Sequence, residues 1–157
     1  MTFKLSQRSK NNLKGVHPKL VRATELALTY TDVDFGVSCG LRTQTEQELL
    51  VAAGKSQTMK SKHLRQADGY SHAVDLVAYI GGSVCWELNV YDNLADAMKK
   101  AAREVGLSIR WGGSWHISDI TVYSGTAEEA MNEYIDLRRS QSRRVFLDCP
   151  HFEISGI

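Results

Sequence analysis

No run of apolar residues in this chain approaches the ~20 needed to cross a bilayer. The opening Met-Thr-Phe-Lys-Leu-Ser-Gln-Arg-Ser-Lys contains no apolar signal core. These absences predict cytoplasmic synthesis without membrane insertion. An excess of charge of one sign is also missing: 19 Lys and Arg against 18 Asp and Glu leave a net +1. Bulk charge therefore gives no reason to expect nucleic acid or an anionic membrane as partner. Cysteine is sparse. Cys39, Cys85 and Cys149 are odd in number and widely spaced, with no Cys-x-x-Cys pair, which excludes a disulfide framework and a zinc ribbon. They read as incidental thiols of a reducing compartment, with Cys149 marked out by its place among candidate metal residues. No repeat, low-complexity tract or Pro/Gly-rich linker divides the chain. A single domain over residues 1–157, with a core of its own, is expected.

What is present is helical periodicity with clear punctuation. Pro18 suits the first position of a helix whose face carries Leu20, Val21, Thr24, Ala27 and Leu28. Thr43-Gln44-Thr45-Glu46 has the form of a capping box, and Gly54 is placed to end that helix. A third helix is predicted from Asp92 as N-cap, through Leu94, Ala97, Met98, Ala101 and Val105, to Gly106. Thr126-Ala127-Glu128-Glu129 opens a fourth, with Ala127, Ala130, Met131 and Tyr134 as its stripe. Strands are predicted at 35–39, 73–79, 107–111 and 151–154, with a turn at Gly81-Gly82. A small antiparallel sheet flanked by about four helices makes an α+β domain.

Three short segments carry chemistry. Ser61-Lys62-His63, Ala73-Val74-Asp75 and Asp148-Cys149-Pro150-His151-Phe152-Glu153 offer two imidazoles and a carboxylate for one metal ion. Three protein ligands leave the fourth position of zinc open, as in catalytic sites, and Asp148 supplies a spare proton acceptor. That combination points to hydrolysis. On a strand Asp75 shares a face with Ala73 and not with His72 or Val74. A carboxylate in the run Ala-Val-Asp-Leu-Val-Ala is costly to bury without a cation, which a metal or a buried Arg or Lys would provide. His151 and Glu153 share a face, with Phe152 turned to the core. His17, before Pro18, reads as an ordinary helix-start residue. His72 and His116 each adjoin a motif, as neighbours of the metal or as substrate contacts. Arg42, at a strand-to-helix turn, reads either as a surface arginine or as a stabiliser of a developing oxyanion.

In order along the chain, Gly40-Leu41-Arg42-Thr43 with Glu46-Gln47, Ser61-Lys62-His63, Ala73-Val74-Asp75, Trp111-Gly112-Gly113-Ser114-Trp115 and Asp148-x-Pro-His151-Phe-Glu form a set. This set resembles the zinc D-Ala-D-Ala carboxypeptidase/dipeptidase superfamily, and within it the phage L-alanyl-D-glutamate endopeptidases (endolysins). The resemblance implies Zn2+ on His63, Asp75 and His151, and Asp148 as general base. It also implies that Arg42 polarises the scissile carbonyl and that Ser61 shapes the substrate site, where His72 and Trp115 are further candidate substrate contacts. The implied substrate is the peptidoglycan stem peptide, cut in the periplasm by a monomer released through a holin-type pore. A D,D-carboxypeptidase or dipeptidase on the same zinc site is the alternative enzyme, and a zinc-stabilised wall-binding module the non-enzymatic one. Two-His-one-carboxylate iron oxygenases use similar ligands, but from a short His-x-Asp strand of a β-barrel that this chain lacks.

Three departures from the family's pattern stand out. His63 precedes Asp75 by twelve positions, more than the pattern allows, so Leu64–Tyr70 must loop out, with Asp68-Gly69 as its turn. That interval keeps His72 as an alternate first ligand. Ser114 stands where the Trp box has Asp. Residues 116–147 form a helical insertion before Asp148, expected as a lid, a specificity wall or a solvated helix.

Overall fold

The computed structural model describes residues 3–156; Met1, Thr2 and Ile157, the ends of the expected domain, lie outside the described residues. Its helices are α1 (Gln7–Asn12), α2 (Pro18–Tyr30), α3 (Gln44–Ala52), α4 (Leu88–Val105) and α5 (Ala127–Ser140). Its strands are β1 (Asp34–Cys39), β2 (Ala73–Ile80), β3 (Ser83–Cys85), β4 (Ile109–Trp111) and β5 (His151–Ile154). All pairings are antiparallel, in the order β1-β2-β5-β4. β3 lies beside the end of β2 that β5 does not reach.

Alternation sorts the sheet's two faces. Val74, Leu76 and Ala78 of β2, Phe152 and Ile154 of β5, and Ile109 and Trp111 of β4 join the core with α2 and α4. Asp75, His151, Glu153 and Arg110 fall on the other face. Each large side chain fully removed from water contributes about 1.5–3 kcal/mol, so the core face fixes the strand register. Register in turn dictates which polar residues meet on the opposite face.

Both capping boxes form, at Thr43/Glu46 and Thr126/Glu129, and Gly106 ends α4 in the left-handed conformation. The start of α4 differs from expectation. The helix begins at Leu88, not after Asp92, because Val90 and Tyr91 extend its buried stripe and Tyr91 Oη donates to Cys85 O. Asp92 is thus a buried mid-helix residue, its carboxyl pushed up to about 6 by burial and by the charges of Glu128 and Asp96. Two elements carry no sequence signal. α1 is a six-residue polar helix with no apolar stripe, held to β1 through Ser9 Oγ and Asn12 Nδ2. β3 completes the hairpin beyond Gly81-Gly82.

The 116–147 segment is fastened to α4. Lys99 Nζ donates to Tyr123 O and Gly125 O, Arg103 Nη2 to Thr121 O at 2.7 Å, and Ala127 N to Asp96 Oδ1 at 2.8 Å. Ala127, Ala130 and Met131 bury the inner face of α5.

Candidate metal centre

Strand pairing builds a row across three strands. Asp75 on β2 is the register partner of Cys39 on β1 and of His151 on β5. A bulge between Val37 and Cys39 makes this possible. It adds a residue to β1, so Cys39 turns to the Asp75 face although Phe35 and Val37 point to the core. The sequence reading singled out Cys149 and passed over Cys39. In the structure Cys149 is buried against Met131, its thiol pushed up to about 12 by burial, whereas Cys39 Sγ lies 3.7 Å from His63 Nδ1. The bulge leaves no mark in a pattern of alternating residues.

His63 reaches the row from the long loop. Its Nε2 is 3.2 Å from Asp75 Oδ1, and its Nδ1 donates to Gly40 O at 2.8 Å. Gly40 is required there, since a Cβ would meet Asn12 O at 2.1 Å. Leu64–Tyr70 does loop out: Gln66 N bonds Tyr70 O, Gly69 N bonds Gln66 O, and Tyr70 N bonds Asp68 Oδ1. At the base of the loop His72 N donates to Lys62 O, and Ser61 Oγ accepts from His63 N. Ser61 therefore shapes the His63 turn.

His72 is not brought to this group. It is buried on the other side, with Nε2 2.8 Å from Asp68 Oδ2 and its ring 5.7 Å from that of His17. His116 is likewise elsewhere, stacked on Tyr134 and 3.7 Å from Glu133.

From the far side, His151 Nδ1 lies 3.2 Å from the same Asp75 Oδ1, while its Nε2 meets Glu153 Oε1 at 2.8 Å. Asp148 stands at the turn into β5, where its N donates to Gly112 O while Gly112 N donates to His151 O. A Cβ on Gly112 would meet Asp148 O at 2.1 Å. One donor atom each from Asp75, Asp148 and His151 falls within 4.8 Å of the others, as does one each from Cys39, His63 and Asp75. Either group could hold a metal ion.

Electrostatics follow from this crowding. Burial opposes charge on His63 and His151, but hydrogen bonds outweigh it. Asp75 and Cys39 raise His63 to about 10, and Asp75 and Glu153 raise His151 to about 9. Burial likewise opposes ionisation of Asp75, yet the two imidazoles hold its carboxyl well below the usual range. Asp148 shifts the other way, raised by burial and then by the charge of Asp75. The site thus holds one carboxylate poised to stay ionised and one poised to carry a proton.

Arg42 Nη2 is 3.8 Å from Asp75 Oδ2 and 3.4 Å from Cys39 Sγ. Its Nη1 donates to Gln47 Oε1 at 2.8 Å. Gln47 is fully buried and tied to Ser56 Oγ and Thr58 O, so α3 carries the support of Arg42. A cavity of about 230 Å3 lined by Leu41, Arg42, Thr43, Gln44, Leu64 and Arg65 adjoins it. Trp115 tilts over His151 at 5.5 Å and stacks on Phe146 at 6.2 Å.

Fold and site define an α+β enzyme with a candidate metal centre on the polar face of its sheet. The chain belongs to the phage L-alanyl-D-glutamate peptidase family, whose model matches residues 1–155. It is similar to the L-alanyl-D-glutamate peptidase of Escherichia phage T5, 30% identical over 122 residues, covering 75% of this chain and 85% of that one. Among solved structures it is similar to the Serratia marcescens L-Ala D-Glu endopeptidase ChiX. That likeness has 37% identity and a TM-score of 0.70 over 97% of this chain and 90% of the other. Among the described residues no helix is long and apolar enough to cross a membrane.

Proposed function

We propose that this chain is a zinc-dependent endopeptidase that hydrolyses the L-alanyl-D-glutamate bond of peptidoglycan stem peptides, acting as a phage endolysin. The observation that carries the metal assignment is the arrangement around Asp75 Oδ1, with one nitrogen of His63 and one of His151 each at 3.2 Å. Two donors on one tetrahedral zinc lie roughly 3.3 Å apart at the usual zinc–ligand distances. The other nitrogen of each ring is anchored, on Gly40 O and on Glu153, as is usual for metal-ligating histidines. Asp75 belongs to both donor groups, one with His63 and one with His151, and in this reading the ion draws the two imidazoles together on it, with His63 preferred to His72, whose Nε2 is engaged by Asp68.

When bound, zinc supplies the Lewis acidity that polarises the scissile carbonyl and acidifies the attacking water. Asp148, raised in pKa beside the cluster, accepts the water's proton and passes it to the leaving D-glutamyl nitrogen as the C–N bond breaks. The Arg42 guanidinium, held by Gln47, faces the negative charge that develops on the carbonyl oxygen. Trp115 with Phe146 forms an aromatic wall beside His151. Residues 116–147 then act as a fixed wall of a single domain, consistent with their fastening to α4. A monomer made in the host cytoplasm and released through a holin-type pore completes the reading.

Digestion of purified sacculi tests it. New D-glutamate amino termini that vanish in Asp148→Asn support the proposal. Released D-alanine would assign a D,D-carboxypeptidase instead, and wall binding without cleavage would assign a binding module.

A further inference from the structure

The near-neutral net charge conceals a sharp asymmetry. Lys55, Lys60, Lys62 and Arg65 fall in one segment that contains His63, and Arg138, Arg139, Arg143 and Arg144 in another that ends just before Asp148. Neither 55–65 nor 137–147 contains an acidic residue. With 8 of the 19 Lys and Arg placed there, 11 remain against 18 Asp and Glu elsewhere. The two segments approach the site from opposite sides. Lys62 adjoins His63 and acts electrostatically on Glu153. Arg144 is two residues from Phe146, which stacks on the Trp115 that covers His151. Arg138 Nε donates to Arg144 O at 2.8 Å, so the second segment folds back on the end of α5 as one patch. Arg139, Arg143 and Arg144 are exposed. Among the described residues, Arg42 with Asp75 is the ion pair within 4.0 Å that an Arg or Lys makes, and none of these eight takes part in one.

Eight cations without an ion-pair partner within 4.0 Å among the described residues, in two segments beside the site, amount to an electrostatic funnel. Such a field raises the local concentration of an anionic substrate and its rate of arrival. We infer that these rims form a docking surface for the carboxylates of neighbouring stem peptides on the intact, polyanionic wall, separate from the residues that cut the bond. The inference rests on the proposed peptidase activity for its choice of partner. Each stem peptide carries free carboxylates, and a sacculus presents them as a dense array. A single soluble peptide engages the catalytic site alone.

The test compares wild type with Arg139→Gln/Arg143→Gln/Arg144→Gln and with Lys55→Gln/Lys60→Gln. Cosedimentation with sacculi in low salt gives binding. Hydrolysis of a soluble muramoyl tripeptide gives activity without the array. The expected result is at least a roughly tenfold loss of sacculus binding in each variant, with soluble hydrolysis unchanged. Wild-type binding is expected to weaken steeply with salt and to be lost on sacculi whose carboxylates have been amidated. Undiminished binding by both variants, or undiminished binding to amidated sacculi, overturns the inference. Competition by phosphatidylglycerol vesicles as strong as that by sacculi also overturns it, by making the partner a lipid surface. Asp148→Asn separates this inference from the activity on which it rests. If Asp148→Asn binds carboxylate-bearing sacculi while wild type cuts no L-alanyl-D-glutamate bond, the docking surface stands and the peptidase reading falls.

Discussion

His63, Asp75 and His151 gather on the polar face of the sheet, and His17, Asp68 and His72 gather where the long loop meets the start of α2. Each group has two imidazoles and one carboxylate, with ring centroids 5.1 Å apart in the first and 5.7 Å in the second. What separates them is where the remaining ring nitrogens go. In the first, the outer nitrogens are anchored on Gly40 O and Glu153, leaving the inner pair turned toward one carboxylate oxygen. In the second, His17 Nδ1 accepts from Lys19 N to cap α2, so its proton lies on Nε2, toward Asp68 at 4.0 Å. Ligation through Nε2 would demand the opposite tautomer and break the cap. His72 donates to Asp68 from Nε2, and its buried Nδ1 has no partner among the described residues. The second group is a clasp that closes the enlarged loop. Residue types alone do not make a metal site; the second-nitrogen bonds decide it.

The comparison can be broken most forcefully at the first group. His151→Ala is expected to lose both bound zinc and sacculus hydrolysis, read by elemental analysis and release of new amino termini. Retained zinc would remove His151 from the centre. Next in size is Asp148→Asn, expected to lower kcat by about 10²–10⁴-fold with zinc retained, as for loss of a general base. Equal loss of metal would make Asp148 a ligand instead. Glu153→Gln is smaller: weakening the outer anchor of His151 should cost about 10–100-fold in zinc affinity, measured by competition with a chromogenic chelator.

The pH dependence sharpens the same contrast. His63 and His151 have folded-state pKa values of about 10 and 9 in the metal-free protein, above the ordinary histidine value. Their stabilising contribution is therefore fully present below the unfolded pKa of roughly 6.5 and is lost as pH rises through 9 and 10. Thermal melts of chelator-treated protein should show the midpoint falling across that window, and zinc-loaded protein should not follow. Zinc binding displaces those protons, so apparent affinity should drop as pH is lowered. A pH-independent affinity would contradict the assigned ligands.

Much of the fold was legible because its punctuation is local. Thr43, Thr126, Pro18 and Gly106 act within a turn or two of their own positions. The start of α4 was not, because Asp92 is a plausible cap by composition and only the tertiary burial of Val90 and Tyr91 carries the helix back to Leu88. α1 has no apolar stripe to announce it. At the site, the phase of Asp75, of His151 with Glu153, and of Phe152 followed from strand alternation. Cys39 was hidden because a bulge reverses its face, and Gln47, visible only as part of the motif set, gave no sign that it would hold Arg42. His63 is held across the enlarged loop by the backbone bonds of His72 N to Lys62 O and of Arg42 N to His63 O, which no local pattern specifies.

The most direct measurement is zinc stoichiometry of His63→Ala beside His72→Ala, each purified folded and dialysed against trace zinc. His63→Ala should hold no stoichiometric ion. His72→Ala should hold the wild-type amount and melt a few degrees lower for want of its bond to Asp68. Zinc retained by His63→Ala and lost from His72→Ala would contradict the account and move the first ligand to the other histidine.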